Sequence, residues 1–227
     1  MRFLSEKERA TLLEACLRSD NRLLFPIVVF ALATGARKGE ILKLKLSDLD
    51  PGYARATLTD TKNGETRAVD IPPTLRACLM EHLEWLEIMY GCEVAEDLWL
   101  FPRDDGRGPV AIRAAWAAAL EEAARELPSL RTFRFHDLRH TFASYLAMSG
   151  ATLLQLKEAM GHRTRKAVER YAHLTEDHTQ EVVERMVSIR LAAVPFGTEI
   201  RKPTLRAAGI EESTGGLQIQ APVWPRP

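Results

Sequence analysis

Residues 136–143 read His136-Asp137-Leu138-Arg139-His140-Thr141-Phe142-Ala143, and Gly161-His162 and Tyr171 follow downstream. Leu138, Phe142, Ala143 and Leu146 recur at helical spacing, so Asp137 to Gly150 is predicted as a helix with an apolar inward face. The polar residues that ride on it are the informative part. Two histidines and an arginine within five positions, then a third histidine and a tyrosine nine residues after it, are an unusual concentration of cationic and nucleophilic chemistry.

Working outward from that block, the predicted elements are mostly helices. Ser5-Glu6-Lys7-Glu8 has the form of a capping box and opens a helix near Glu6, with Leu12, Leu13, Ala15, Cys16 and Leu17 as its apolar stripe. A second helix is expected from Asn21 to Thr34, ended by Gly35. A short third one is expected from Lys38 to Leu42, bringing Arg37 close to Glu40. Tyr53–Thr59 and Glu65–Ile71 are rich in β-formers and flank Asn63-Gly64, a strong hairpin signal that leaves Lys62 at the tip. Helices follow over Thr74–Tyr90 and Ala111–Leu127, separated by a loop over Phe101–Pro109. Thr152 to Gln155 is a further capping box for a helix ending at Gly161, and Thr164 is expected to cap the helix that carries Tyr171. Another amphipathic helix is expected from Glu176 to Leu191. Past Val194 periodicity is lost. The predicted class is therefore mainly α with a small antiparallel β-sheet (α+β), residues 1–192 forming one domain and 193–227 a loosely ordered or partner-dependent tail.

Composition narrows the function classes. The chain has 227 residues, 46% apolar and 27% charged, long enough for a sizeable core. The longest apolar run, Leu23 to Ala33, falls short of the ~18 residues that suggest a membrane span and contains Pro26. It reads as a buried helix, and no membrane partner is expected. Cys16, Cys78 and Cys92 are odd in number and scattered, which favours reduced thiols and a cytoplasmic setting.

Formal net charge is zero, yet the charge is segregated. Between Thr74 and Leu130 five basic residues face eleven acidic ones, whereas between Arg131 and His173 eight basic residues face three acidic ones. The basic segment is the one that holds the histidines and Tyr171, so a polyanion has a place to dock. Arg131, Arg134, Arg163, Arg165 and Lys166 are the candidate phosphate contacts, each also readable as a solvated charge.

Attack on a phosphodiester needs donors for its nonbridging oxygens, a nucleophile, and a proton for the leaving oxygen. Guanidinium groups suit the first task because they stay ionised and bind two oxygens at once. A phenol with a pKa of ~10 is only about 0.1% ionised at pH 7, so Tyr171 needs a base or a strongly cationic site. Arg37, Arg139, His136, His162 and Lys62 are the available partners. A competing reading makes His136 and His140, at i and i+4, metal ligands of a hydrolase together with His162. Asp137-Leu138-Arg139 stands where the metalloprotease pattern has its glutamate, and an arginine between the ligands opposes a cation. Read alone, Arg37 is a surface arginine paired with Glu40, Lys62 a solvated hairpin lysine and Tyr171 a core aromatic.

Taken together, the boxes resemble the tyrosine recombinase, or lambda-integrase, family. Thr34-Gly35-Ala36-Arg37-Lys38-Gly39-Glu40-Ile41-Leu42-Lys43-Leu44 resembles its first-arginine box. Thr61-Lys62-Asn63-Gly64 resembles its hairpin lysine, and His136-Asp137-Leu138-Arg139 its H-x-x-R block. Met160-Gly161-His162 and Arg170-Tyr171-Ala172-His173 complete six positions in order. The resemblance spans about Phe3 to Thr175 and implies the catalytic-domain fold of that family. It also implies a site-specific recombinase or integrase of mobile-element type that cuts and rejoins double-stranded DNA through a 3′-phosphotyrosine. Arg37, Arg139 and His162 would bind the scissile phosphate, His136 would assist proton transfer, Lys62 would protonate the 5′-oxygen and Tyr171 would attack. No cofactor and no metal are implied. A tetramer on two DNA sites is implied, and a monomer is the alternative state for the free protein. His140 is expected to be a packed or hydrogen-bonded helix residue, with Glu40 orienting Arg37. The family's N-terminal helical clamp domain has no counterpart in these residues. A catalytically silent DNA-binding relic of the same fold is the alternative.

Overall fold

The computed structural model describes residues 2–60, 65–90, 97–162 and 164–174. Lys62, the Asn63-Gly64 turn, Cys92, Arg163, the helix expected from Glu176 and the tail from residue 193 lie outside the described residues. By its contacts the chain divides into two units, Met1–Val182 and Val183–Pro227, and every described residue belongs to the first.

Eight helices and one hairpin are described: α1 (Glu6–Leu17), α2 (Leu24–Thr34), α3 (Lys38–Leu42), β1 (Arg55–Asp60), β2 (Glu65–Asp70), α4 (Pro73–Tyr90), α5 (Arg113–Glu126), α6 (Phe135–Met148), α7 (Leu153–Ala159) and α8 (Lys166–Glu169). The mainly helical α+β reading therefore holds. α2 is the central element. It packs against α1, α3, α4 and α6, and its Leu24, Ile27, Val28, Phe30 and Ala31 are all buried. A helix apolar on all sides is stable only when enclosed, and each of its larger aliphatic or aromatic side chains contributes roughly 1.5–3 kcal/mol on burial. No described helix is long and apolar enough to cross a membrane.

The hairpin pairs in register from Arg55↔Asp70 to Asp60↔Glu65. Strand alternation turns Ala56, Leu58 and Val69 inward. The same period puts Arg67 on the inward face of β2, directly opposite Leu58. A second apolar cluster gathers Ala143, Ala147, Leu156, Met160, Val168 and Tyr171 from α6, α7 and the segment around α8.

Several boundaries differ from expectation for local reasons. α2 starts at Leu24 rather than Asn21, because the Asn21 side chain accepts the Leu23 amide and its carbonyl accepts that of Leu24, closing a turn first. α6 starts at Phe135, two residues earlier than expected, because Asp137 accepts the Arg134 amide at 2.8 Å and so caps the helix from its third position. Thr164 does not cap α8: Arg165 holds that position in helical conformation, and Tyr171 lies beyond α8, before a 3₁₀ turn over Ala172–Leu174. Leu17 does not join the stripe of α1 but stands 66% exposed.

Candidate active site

The site starts where α2 stops. Gly35 takes a left-handed conformation (φ 63°), and the Phe142 ring lies so close over it that a Cβ would collide. Two residues on, Arg37 precedes α3 and faces Glu40. The Glu40 carboxylate accepts the Arg37 amide through Oε2 and the Arg37 guanidinium through Oε1, each at 2.7 Å. Glu40 is buried, and Arg67 donates to its Oε2 at 3.0 Å. Burial pushes the Glu40 carboxyl up, but the Arg37 amide and the Arg67 and Arg37 guanidinium groups outweigh it and hold the group below the usual carboxylate range.

Arg67 reaches further. Its Nη1 donates to the Ala159 carbonyl at 3.1 Å, at the end of α7. Gly161 then passes so close that a Cβ there would lie 2.5 Å from Arg67 Cδ, and its φ is 59°. The strand, the first-arginine segment and the segment leading to His162 therefore meet on one guanidinium.

Arg139 ties the remaining pieces together. It is buried, and it donates to the carbonyls of Gly35 and Met160. Helix α6 is thereby pinned to the end of α2 and to the turn after α7. Burial, then the positive charges of Arg37 and Arg67, lower its pKa to about 10, still a cation at neutral pH. His162 is half-buried, and its Nδ1 finds no hydrogen-bond partner among the described residues. Burial first, then Arg139, Arg37, Arg170 and Arg67, lower its pKa to about 4, so it is a neutral imidazole near pH 7.

Tyr171 is 1% exposed, and burial raises its pKa while Arg170 and Arg139 act in the opposite direction. Its hydroxyl is hydrogen-bonded to His140 Nδ1 at 2.8 Å. His136 is exposed on the first turn of α6 and meets the His140 ring edge-to-face at 5.1 Å. What burial it has lowers its pKa, as does the Arg139 charge. His136 and His140 thus pack edge-to-face on each other. Among the described residues no group of three or more His, Cys, Asp or Glu is arranged to hold a metal.

Arg37, Arg139, His162 and Tyr171 are brought into one electrostatic neighbourhood, with His136 at its rim. Lys62 and Arg163 lie outside the described residues. Arg131, Arg134, Arg165 and Lys166 are all exposed. Arg134 contacts the buried Asp137 at 3.3 Å while its side chain stays 79% exposed. Arg2, Arg134, Asp137, His140 and Arg170 line an open cleft of about 360 Å³ beside the Tyr171 contact. Sequence reasoning missed Arg67, Arg2 and Arg170. An arginine at an inward strand position was the available signal for Arg67. Arg2 and Arg170 carried none beyond their charge.

The chain matches the family model described as the phage integrase family over residues 2–178. The integrase of Haemophilus phage HP1 is 34% identical over 80% of this chain and 46% of its own length. The integrase of Salmonella phage P22 is 29% identical over 86% of this chain and 49% of its own length. Among solved structures, the catalytic domain of bacteriophage HP1 integrase superposes with a TM-score of 0.60 at 32% identity, covering 84% of this chain and 98% of that domain. XerA recombinase shares the fold at 24% identity, TM-score 0.62, over 84% of this chain and 64% of that one. The chain thus spans about half the length of these phage integrases.

Proposed function

The chain belongs to the phage integrase family, and from that premise we propose that it is a site-specific tyrosine recombinase, cutting and rejoining double-stranded DNA through a 3′-phosphotyrosine. The observation that supports this reading best is the anchoring of Arg139. Its guanidinium joins Gly35, two residues before Arg37, to Met160, two residues before His162, while its neighbour His140 touches the Tyr171 hydroxyl.

In this reading Arg37 and Arg139 bind the nonbridging oxygens of the scissile phosphate, and His162 donates to one of them as a neutral imidazole. Charge accumulating on the pentacoordinate phosphorus meets donors already fixed in place, worth on the order of 3 kcal/mol each. The Tyr171 oxygen attacks phosphorus, and the bond to the 5′-oxygen breaks. Lys62 supplies the proton to that oxygen, and His136 assists proton transfer. The phosphotyrosine conserves the energy of the broken ester, so a 5′-hydroxyl can reverse the step without a nucleotide. Glu40 and Arg67 hold Arg37 and the His162 segment in place.

Arg131, Arg134, Arg163, Arg165 and Lys166 contact the DNA backbone, and four protomers assemble on two sites in the cytoplasm. Residues 1–192 form the catalytic domain. XerH recombinase, 25% identical to this chain, has been solved bound to its difH DNA substrate, which favours DNA as the partner. The test is an SDS-stable protein–DNA adduct on nicked duplexes, with the nick placed so that the cleaved strand cannot religate. The wild-type chain forms it and Tyr171→Phe does not. DNA binding that survives Tyr171→Phe, with no adduct from wild type on any substrate, would instead favour the silent relic.

A further inference from the structure

We propose that His140, not His136, is the base that accepts the Tyr171 proton through its 2.8 Å contact with the hydroxyl. The inference rests on the recombinase reading above. Among the described residues His140 is the side chain hydrogen-bonded to that oxygen, with the two rings 6.3 Å apart and tilted by 39°. His136 lies one helical turn earlier, exposed, edge-to-face against the His140 ring.

The placement is rigid on both sides. Tyr171 is enclosed by Ala143, Ala147, Leu156, Met160 and Val168. His140 follows Arg139, whose guanidinium is held by two backbone carbonyls. One helix turn therefore presents the phosphate clamp and the base together, and rotation of α6 cannot separate them.

The surroundings keep His140 ready to accept. Its own helix contributes His136, Asp137 and Arg139; the segment after α8 contributes Arg170 and Tyr171; the N-terminal segment contributes Arg2 across the cleft. Burial lowers the His140 pKa first, His136, Arg170 and Arg139 add to this, and Asp137 opposes it. The lowered pKa favours the neutral imidazole, with its hydrogen assigned to Nε2, so that Nδ1 accepts from the hydroxyl.

The step balances. The Tyr171 O–H bond breaks and its proton passes to His140 Nδ1. The phenolate oxygen bonds to phosphorus as the P–O5′ bond breaks, and the 5′-oxygen takes a proton from Lys62. The imidazolium then releases its proton to water in the cleft lined by Arg2, Arg134 and Arg170. In rejoining, Nδ1 takes a proton back from water in the cleft and passes it to the phenolate as the P–O bond to Tyr171 breaks, while the attacking 5′-hydroxyl returns its proton to Lys62.

The experiment uses the full chain on nicked duplexes selected from a randomised library by SDS-stable capture. Adduct formation is timed against pH for wild type, His140→Asn, His136→Gln and Tyr171→Phe, with thermal melts to establish folding. Asparagine keeps a polar atom near the Nδ1 position but takes no proton. His140→Asn should slow adduct formation about 100-fold at pH 7, the usual scale for a positioned base. The deficit should shrink about tenfold per pH unit toward pH 9, as the phenol ionises by itself. A folded His140→Asn with the wild-type rate and profile would overturn the proposal. So would a faster one, since His140 would then be holding Tyr171 at rest, and so would the same pH signature in His136→Gln alone. Absence of any wild-type adduct is a different result: it removes the recombinase reading, and this proposal with it.

Discussion

Arg67 on β2 donates to Glu40 Oε2 at 3.0 Å, while Arg37 holds the other carboxylate oxygen at 2.7 Å. One buried carboxylate thus sits between two guanidinium groups, and the farther of these also grips the backbone at Ala159. The arrangement explains how so many positive charges are tolerated together in a folded chain.

Replacing Glu40 with Gln leaves two cations facing a neutral amide. Removing one partner of a fully buried ion pair costs about 3–5 kcal/mol, but the Arg37 side chain is 41% and that of Arg67 18% exposed, so solvent takes up part of the charge and the loss should be about 1–3 kcal/mol. Urea denaturation of Glu40→Gln should register a loss of this order. A loss below about 0.5 kcal/mol, the range of ordinary surface substitutions, would mean that the two arginines do not depend on the carboxylate.

Gly161→Ala places a Cβ 2.5 Å from Arg67 Cδ and 2.8 Å from its Nε, at a backbone φ of 59°. The arginine cannot retreat without releasing Glu40 or Ala159. The variant should lose about 1–3 kcal/mol, combining overpacking with left-handed strain. Its melting temperature and its adduct yield should fall together, whereas Gly39→Ala, where nothing lies within 4 Å, should leave the melt close to wild type.

Arg139→Lys keeps the charge and removes the fork. A single ammonium on a flexible stem cannot reach the Gly35 and Met160 carbonyls as two directed donors from one plane. Adduct formation should drop about 100-fold or more, with a measurable loss of stability. Activity within a factor of two of wild type would show that charge alone suffices.

The histidines set a pH dependence of defined sign. His162 has a pKa of about 4 in the folded chain against an ordinary 6.5. Between those values the unfolded chain binds more protons, so stability is full above pH 6.5 and declines as pH falls toward 4. His136 and His140 shift in the same direction. Glu40 acts likewise lower down, its stabilisation being lost below the ordinary carboxylate range. Melting temperature should therefore fall through this window, and less steeply in His162→Gln. A flat wild-type profile would contradict the lowered values.

Much of the local structure was legible. The hairpin pairing follows from strand alternation, and α3 from the chain reversal at the glycine that ends α2, signals that act over a few residues. The Arg37–Glu40 pair was also visible, because a three-residue offset on a helix start is a local geometry. His140 was legible only as a hydrogen-bonded helix residue, since its partner is 31 positions away. Arg67 was missed because its partners lie 27 and 92 positions away, on elements whose packing no short-range pattern encodes.

By itself the sequence determined which residues are available, in what order, and on which kind of element each one rides. Helical and strand periods, caps and turn residues are short-range, and they are written in neighbouring positions. Only the tertiary structure decided which groups meet. Burying α2 brings α6 across it, carrying the Arg139 guanidinium to Gly35 and Met160 and the His140 ring to the Tyr171 hydroxyl. Those contacts are set by the enclosure of apolar surface and by the need of buried charges for partners. Both act between residues far apart in the chain.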